Sequence, residues 1–279
     1  MKIYDCFTFF NEFDLLEIRL AELWDTVDHF VIAEANQSYS GKSKEFLLLD
    51  NWSRFSAYTD KIRHVAVSDM PATDSWARER HQRCCLNRGL YDSQPEDLII
   101  TSDCDEIPRA EALRMIAADT NNYSRYQLAY PMFQYKINYM KIHDIVKQSN
   151  IMVTRNRVYT NPQQERAYTF PWIQTPADTV TIDHAGWHFS YFGDDRNAIT
   201  KIENFAHTET NIPEIVDNHS IDRMIHHRCG HHGPAHPERF EIVQIDDYFP
   251  NTITEKLDYW RSRGRVVDSA THTVADFYN

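Results

Sequence analysis

The sequence is poor in cysteine, in long apolar runs and in positive charge. Its five cysteines (Cys6, Cys84, Cys85, Cys104 and Cys229) form an odd set with no Cys-x-x-Cys pair. Two are adjacent and Cys104 lies between two acids, so the expectation is a reducing compartment without a disulfide framework. No run approaches the ~18 apolar residues of a membrane span. Met1-Lys2-Ile3-Tyr4-Asp5 enters a strand pattern with no apolar leader, which gives the expectation of a soluble, cytoplasmic protein. Only 29 Lys and Arg stand against 41 Asp and Glu, for a formal charge of −12. That balance argues against broad nucleic-acid or anionic-membrane binding. An acidic chain that holds a phosphorylated ligand needs a metal or a few focused arginines. Repeats and low-complexity linkers are also missing, so residues 1–279 read as one domain.

What is present is an alternation of strand and helix patterns, the mark of an α/β fold. Residues 2–10 suit a first strand, Leu15 to Leu23 an amphipathic helix with Asn11 as its cap, and His29 to Ala33 a second strand. The ligand crevice of such a unit lies beyond the carboxyl ends of its strands, where Asn11, Glu12, Glu34 and Asn36 fall. Phe46–Leu49 fits a strand or a helix start, and Arg63–Val67 a third strand. A helix over residues 76–86 carries Arg80 and Arg83 on one face, either solvated or reaching phosphates from the crevice.

The chain centres on Leu98-Ile99-Ile100-Thr101-Ser102-Asp103-Cys104-Asp105-Glu106-Ile107-Pro108. A short buried strand runs into three carboxylates within four positions, and Pro108 opens a helical pattern from Arg109 to Ala117. A plain helix cap needs one carboxylate, whereas clustered acids at a strand end suit a divalent cation that holds a diphosphate.

Farther on, residues 125–140 alternate aromatic and polar side chains like a hairpin or small antiparallel sheet, with more strands at Ile151–Thr154 and Val180–Ile182. Residues 161–178 read as a long loop. An aromatic strand from His184 to Gly193 places His184 and His188 on the same face. Asp194-Asp195 cap a helix from Arg196 to His207, and a last helix covers about Thr252 to Arg263. Five histidines crowd residues 226–236, where Gly230, Gly233 and Pro234 mark a loop and the spacing fits no fixed zinc pattern.

Three segments in this order resemble glycosyltransferase family 17: Asn11-Glu12-x-Asp14-Leu15-Leu16, Asp103-x-Asp105-Glu106-Ile107-Pro108 and Ala185-Gly186-Trp187-His188-x-Ser190. The resemblance covers about residues 2–265. It implies a GT-A-like fold: a Rossmann-type mixed sheet flanked by helices with an antiparallel acceptor-side extension. Residues 1–120 would form its nucleotide-binding half and 121–279 its acceptor-binding half. It implies inverting transfer of N-acetylglucosamine from UDP-N-acetylglucosamine, assisted by Mn²⁺ or Mg²⁺. Asp103 and Asp105 match the Asp-x-Asp pair that meets ribose and metal, and His188 is a third metal contact or a core histidine. Asn11, Glu12 and Glu34 fall where the nucleoside is held.

Arg80, Arg83 or Lys201 would assist with the diphosphate. For the base that accepts the acceptor's proton, Asp194 is the first choice, with Glu203 and Glu209 as rivals; each also reads as a cap or surface charge. Glu106 is expected to support the turn or its arginines. The chain lacks the membrane anchor and cysteine-rich ectodomain of the eukaryotic pattern, so the expected acceptor is a saccharide or lipid-linked glycan in a bacterial or viral setting. The competing classes are a non-catalytic UDP-sugar or glycan-binding protein, and a metal-dependent phosphoester hydrolase that uses the histidines.

Overall fold

The computed structural model describes all residues except 122, 143–147, 217–218, 234 and 279, and leaves the side chains of 148 and 278 undescribed. Pro234, one marker of the histidine-rich loop, therefore lies outside the described residues.

Among the described residues, twelve strands form two sheets: β1 (Ile3–Phe9), β2 (His29–Ala35), β3 (Ile62–Val67), β4 (Leu98–Asp103), β5 (Glu106–Pro108), β6 (Arg125–Tyr130), β7 (Met132–Gln134), β8 (Tyr139–Lys141), β9 (Gln148–Arg155), β10 (Thr179–Ile182), β11 (Gly186–Ser190) and β12 (Phe240–Ile242). The larger sheet has the order β10-β6-β9-β4-β1-β2-β3 and the smaller one β12-β8-β7-β11-β5. β1, β2, β3 and β4 run parallel, and β9 enters antiparallel between β4 and β6. This is a mixed α/β fold with helices on the large sheet. The apolar runs of β1, β2 and β4 are buried on both faces, as parallel strands covered by helices require.

The chain leaves β1 toward β2 and β3, then returns to the other side of β1 as β4. The connections part at the carboxyl ends of β1 and β4, and that switch point opens a crevice. Short β5 leads the chain from the acidic turn into the smaller sheet, where it pairs with β11 and sets His188 opposite Glu106.

Several expected boundaries differ. Pro108 ends β5, and the next helix is Ala110–Ala118. The first helix, Phe13–Leu23, has no side-chain cap, so Asn11 does not serve as one. Residues 47–50 form a short helix. The supposed long loop contains a helix, Pro162–Ala167, capped by Asn161, which accepts from the Gln164 amide at 2.9 Å. His184 lies before β11 with φ of 54°, off the strand face it was expected to share with His188. The segment expected to be one last helix is two short ones, Asn251–Thr254 and Leu257–Ser262. Among the described residues, no helix is long and apolar enough to cross a membrane.

Candidate active site

The acidic turn is built on a buried arginine. Arg19 has no solvent exposure, and its guanidinium is anchored by both oxygens of Asp5 (2.7 and 2.6 Å). It donates to the carbonyl oxygens of Asp103 (2.8 Å), Cys104 (3.3 Å) and Glu106 (2.8 Å), and to Ser102 Oγ (2.7 Å). One planar group thus holds four acceptors of the turn, from residues 102, 103, 104 and 106, in place. Glu106 closes the turn as expected, accepting from the Asp103 amide at 2.9 Å, from Asn150 Nδ2 at 3.1 Å and from Arg166 Nη1.

Cations meet both carboxylates of the Asp-x-Asp pair. Asp103 accepts from Arg83 at 3.0 Å and from Arg166 at 2.8 Å. Burial opposes its ionisation, but the Arg166 and Arg83 guanidiniums outweigh that and hold the carboxyl at about 2. Asp105 accepts from Lys201 Nζ at 2.6 Å, with His188 Nε2 at 3.6 Å. Burial again raises its pKa, and Lys201 and His188 bring it well below the usual carboxylate range.

A divalent cation takes carboxylate oxygen readily and, if Mn²⁺, imidazole nitrogen as well. Asp105 and His188 offer that pair, with Lys201 on the shared Asp105 Oδ2 at 2.6 Å, which an ion bound there would displace. Asp103 does not converge with them, because its oxygens are turned to two arginines. Among the described residues, the one group of three His, Cys, Asp or Glu whose ligand atoms lie within 4.8 Å of one another is Asp69, His81 and Cys85. There Arg88 already pairs with Asp69 at 2.6 Å. The expected set of Asp103, Asp105 and His188 is not drawn together as one three-ligand cluster among the described residues.

These groups line a cavity of about 200 Å³ at the switch point. Of the expected residues, Glu12, Arg83, Asp103, Asp105, His188 and Lys201 are on its wall. The helix Ser75–Cys84, capped by Asp74, presents Glu79, Gln82 and Arg83 to it, one stripe at helical spacing. Arg80 lies just beyond that stripe and is exposed. Glu34 is buried behind the wall, accepting from the Leu48 amide (3.2 Å), Lys44 Nζ (3.2 Å) and His64 Nε2 (3.0 Å). Glu34 does not itself line the cavity; it holds Lys44, which does.

All three expected bases lie elsewhere. Asp194 is a helix cap: it accepts from the Asn197 amide at 3.0 Å in a capping box that starts the helix Asp195–Asn204 bearing Lys201. Glu203 is half exposed and faces Lys42 at 3.7 Å. Glu209 is exposed and bonded to His207 at 2.5 Å. None of them lines the cavity. In the histidine-rich stretch, His231 and His232 line a separate cavity near Met224, and the His231 ring packs 5.1 Å from that of Tyr191 on the site's wall.

A second cavity of about 150 Å³ adjoins the first and shares Glu12, Asp105, Tyr191 and Lys201 with it; Asn11 lines this one instead. Glu12 sits on the dividing wall. Its Oε2 accepts from the amides of Phe10 and Asn11, both at 3.0 Å, which fixes the carboxyl at the end of β1. Burial raises its pKa despite the pull of Lys201, the setting of a proton acceptor. Arg19 and Arg166 were missed from sequence. Asp5 inside an apolar strand was a signal for Arg19, whereas nothing near Arg166 pointed to the turn.

Residues 1–233 match the sequence model of Glycosyltransferase family 17. A 112-residue stretch is 30% identical to the human beta-1,4-mannosyl-glycoprotein 4-beta-N-acetylglucosaminyltransferase, covering 37% of this chain and 21% of the human protein. The rat protein of the same name gives the same identity and coverage. The chain thus matches about a fifth of the length of these curated relatives. Among solved structures it is similar to S. aureus TarS 1-349, with a TM-score of 0.38 and 12% identity over 77% of this chain and 69% of that one.

Proposed function

The chain belongs to glycosyltransferase family 17, and from that premise we propose that it is a GT-A-type enzyme moving N-acetylglucosamine from UDP-N-acetylglucosamine to a saccharide hydroxyl, with inversion and with Mn²⁺ or Mg²⁺. The observation that carries this reading is the meeting of Asp103 and Asp105 with Arg83, Arg166 and Lys201 at the switch-point cavity. A nucleoside diphosphate needs clustered cations at a fixed distance from a groove for its base, and an acidic protein has gathered Arg83, Arg166 and Lys201 in this one place, with Lys44 on the same wall. The relatives named for N-acetylglucosaminyl transfer support the choice of sugar.

Asp105 and His188 would hold the divalent cation, whose charge would neutralise the departing diphosphate when bound. Lys201, Arg83 and Arg166 add positive charge beside it. Glu12, between the two cavities, takes the proton from the acceptor hydroxyl as that oxygen attacks the anomeric carbon and the bond to the diphosphate breaks. The first cavity holds the donor and the second admits the acceptor.

The test is the kinetics of Glu12→Gln. Its kcat should fall by about 100-fold or more, the usual contribution of a general base, while KM for UDP-N-acetylglucosamine stays within about twofold. A kcat close to wild type removes Glu12 from the chemistry.

A further inference from the structure

The second cavity holds a concentration of guanidinium groups that sugar transfer to a neutral acceptor does not require. Arg54, Arg263 and Arg265 converge on the carboxylate of Asp14 at its wall. Arg54 donates to Asp14 at 2.8 Å, Arg263 at 3.2 Å to both oxygens, and Arg265 at 3.3 and 3.2 Å through Nε and Nη2. From Arg54 and Arg263 these bonds come through Nη2 alone, which leaves further donors on each fork. The carboxylate bonded to all three is Asp14 alone, with Glu17 taking a share of Arg54 at 3.0 Å; Glu12 and Asp105 line other parts of the cavity. Lys201 on the opposite wall is already matched by Asp105. Phe189 and Phe192 supply apolar surface in the same cavity, as a sugar ring needs. Three guanidiniums brought to one carboxylate in a chain of net charge −12 make a receptor for an anion.

We propose that the second cavity is an acceptor subsite for an anionic sugar, one bearing a carboxylate or phosphate that the Arg54, Arg263 and Arg265 cluster recognises. This rests on the reading of the first cavity as the donor pocket. The anion lies over the arginines, the sugar ring over the phenylalanines, and the hydroxyl to be glycosylated faces Glu12. Bidentate pairing to the guanidinium forks then sets the orientation of the ring, which is what a transferase needs to select one hydroxyl among several.

The experiment is a titration of the full chain, in the presence of UDP, with methyl β-glucoside, methyl β-glucuronide and glucose 6-phosphate, followed by thermal shift or saturation-transfer NMR. At least one anionic probe should half-saturate at a concentration about tenfold or more below the neutral glucoside. Comparison of the two anions tells carboxylate from phosphate. The double variant Arg54→Gln, Arg263→Gln, both positions partly exposed, should reduce that preference below about threefold without changing the affinity for UDP. Equal binding of neutral and anionic probes, or a preference that survives the double variant, overturns the proposal. Loss of UDP affinity in the variant overturns it too, since the cluster would then belong to the donor. Failure of UDP to bind the wild type is a different result, which counts against the donor pocket itself.

Discussion

Arg19 is the residue on which the acidic turn depends. It is buried without exposure beside an equally buried Asp5, and four turn acceptors hang on it. Taking one partner from a buried ion pair leaves the other charge uncompensated, a loss of about 3–5 kcal/mol. Arg19→Met should lower unfolding free energy by that amount in urea melts; a loss below about 1 kcal/mol contradicts the role assigned to it. Asp103 makes a pH-dependent contribution. Its folded pKa of about 2 lies below the ordinary 3.8, so the stabilisation is fully present above pH 4 and is lost as pH falls through 2. Acid titration of wild type against Asp103→Asn should show a gap on the order of 2 kcal/mol above pH 4 that closes toward pH 2. Asp103 and Asp105 were legible because clustered acids at a strand end carry chemical meaning, whereas Arg83, His188 and Lys201 stand out in the sequence only as the charged or ligating side chains of nearby elements. Asp194 misled because a carboxylate at a helix start serves equally well as a cap, and here it caps.

At the scale of elements, the pairing of β5 with β11 connects the two sheets at the site. An added Cβ at Gly186 would lie 2.6 Å from the Ile107 carbonyl oxygen, closer than real contacts allow. Gly186→Ala must push β11 away from β5, shifting His188 relative to Asp105. Crowding of this kind costs about 1–3 kcal/mol. The variant should melt earlier and lose affinity for UDP together; a variant with wild-type melting and binding shows the strands have slack. The parallel strands were legible, since buried apolar runs flanked by helix patterns leave few alternatives. The helix Pro162–Ala167 was hidden by its flanks of proline and aromatics, and with it Arg166. Its six residues are too few for an amphipathic period to register. Conversely, β5 was overlooked because three residues ending in proline look like a helix entry, and only the partner strand β11 makes them a strand.

At the scale of the molecule, one charge pattern unites fold and proposed function. A strongly acidic chain gathers cations at two adjoining cavities: Arg83, Arg166 and Lys201 around the first, and Arg54, Arg263 and Arg265 around the second. They come from segments far apart in sequence, from residue 54 to residue 265, so no local motif announces the pair of cavities. The α/β class and the switch-point crevice followed from the order of elements. The second cavity depends on how the last segment folds back against Asp14, and sequence periodicity holds no information on that.

The central claim is that the first cavity is a UDP-sugar pocket governed by the Asp-x-Asp turn. Calorimetric titration of UDP-N-acetylglucosamine with Mn²⁺ into wild type and Asp105→Asn, with the fold of each checked by circular dichroism, tests it most directly. The account predicts one site per chain in wild type and a loss of affinity of at least about tenfold in the folded variant, the equivalent of one charge-assisted contact. Equal affinity in both proteins, or no binding by wild type, would contradict it.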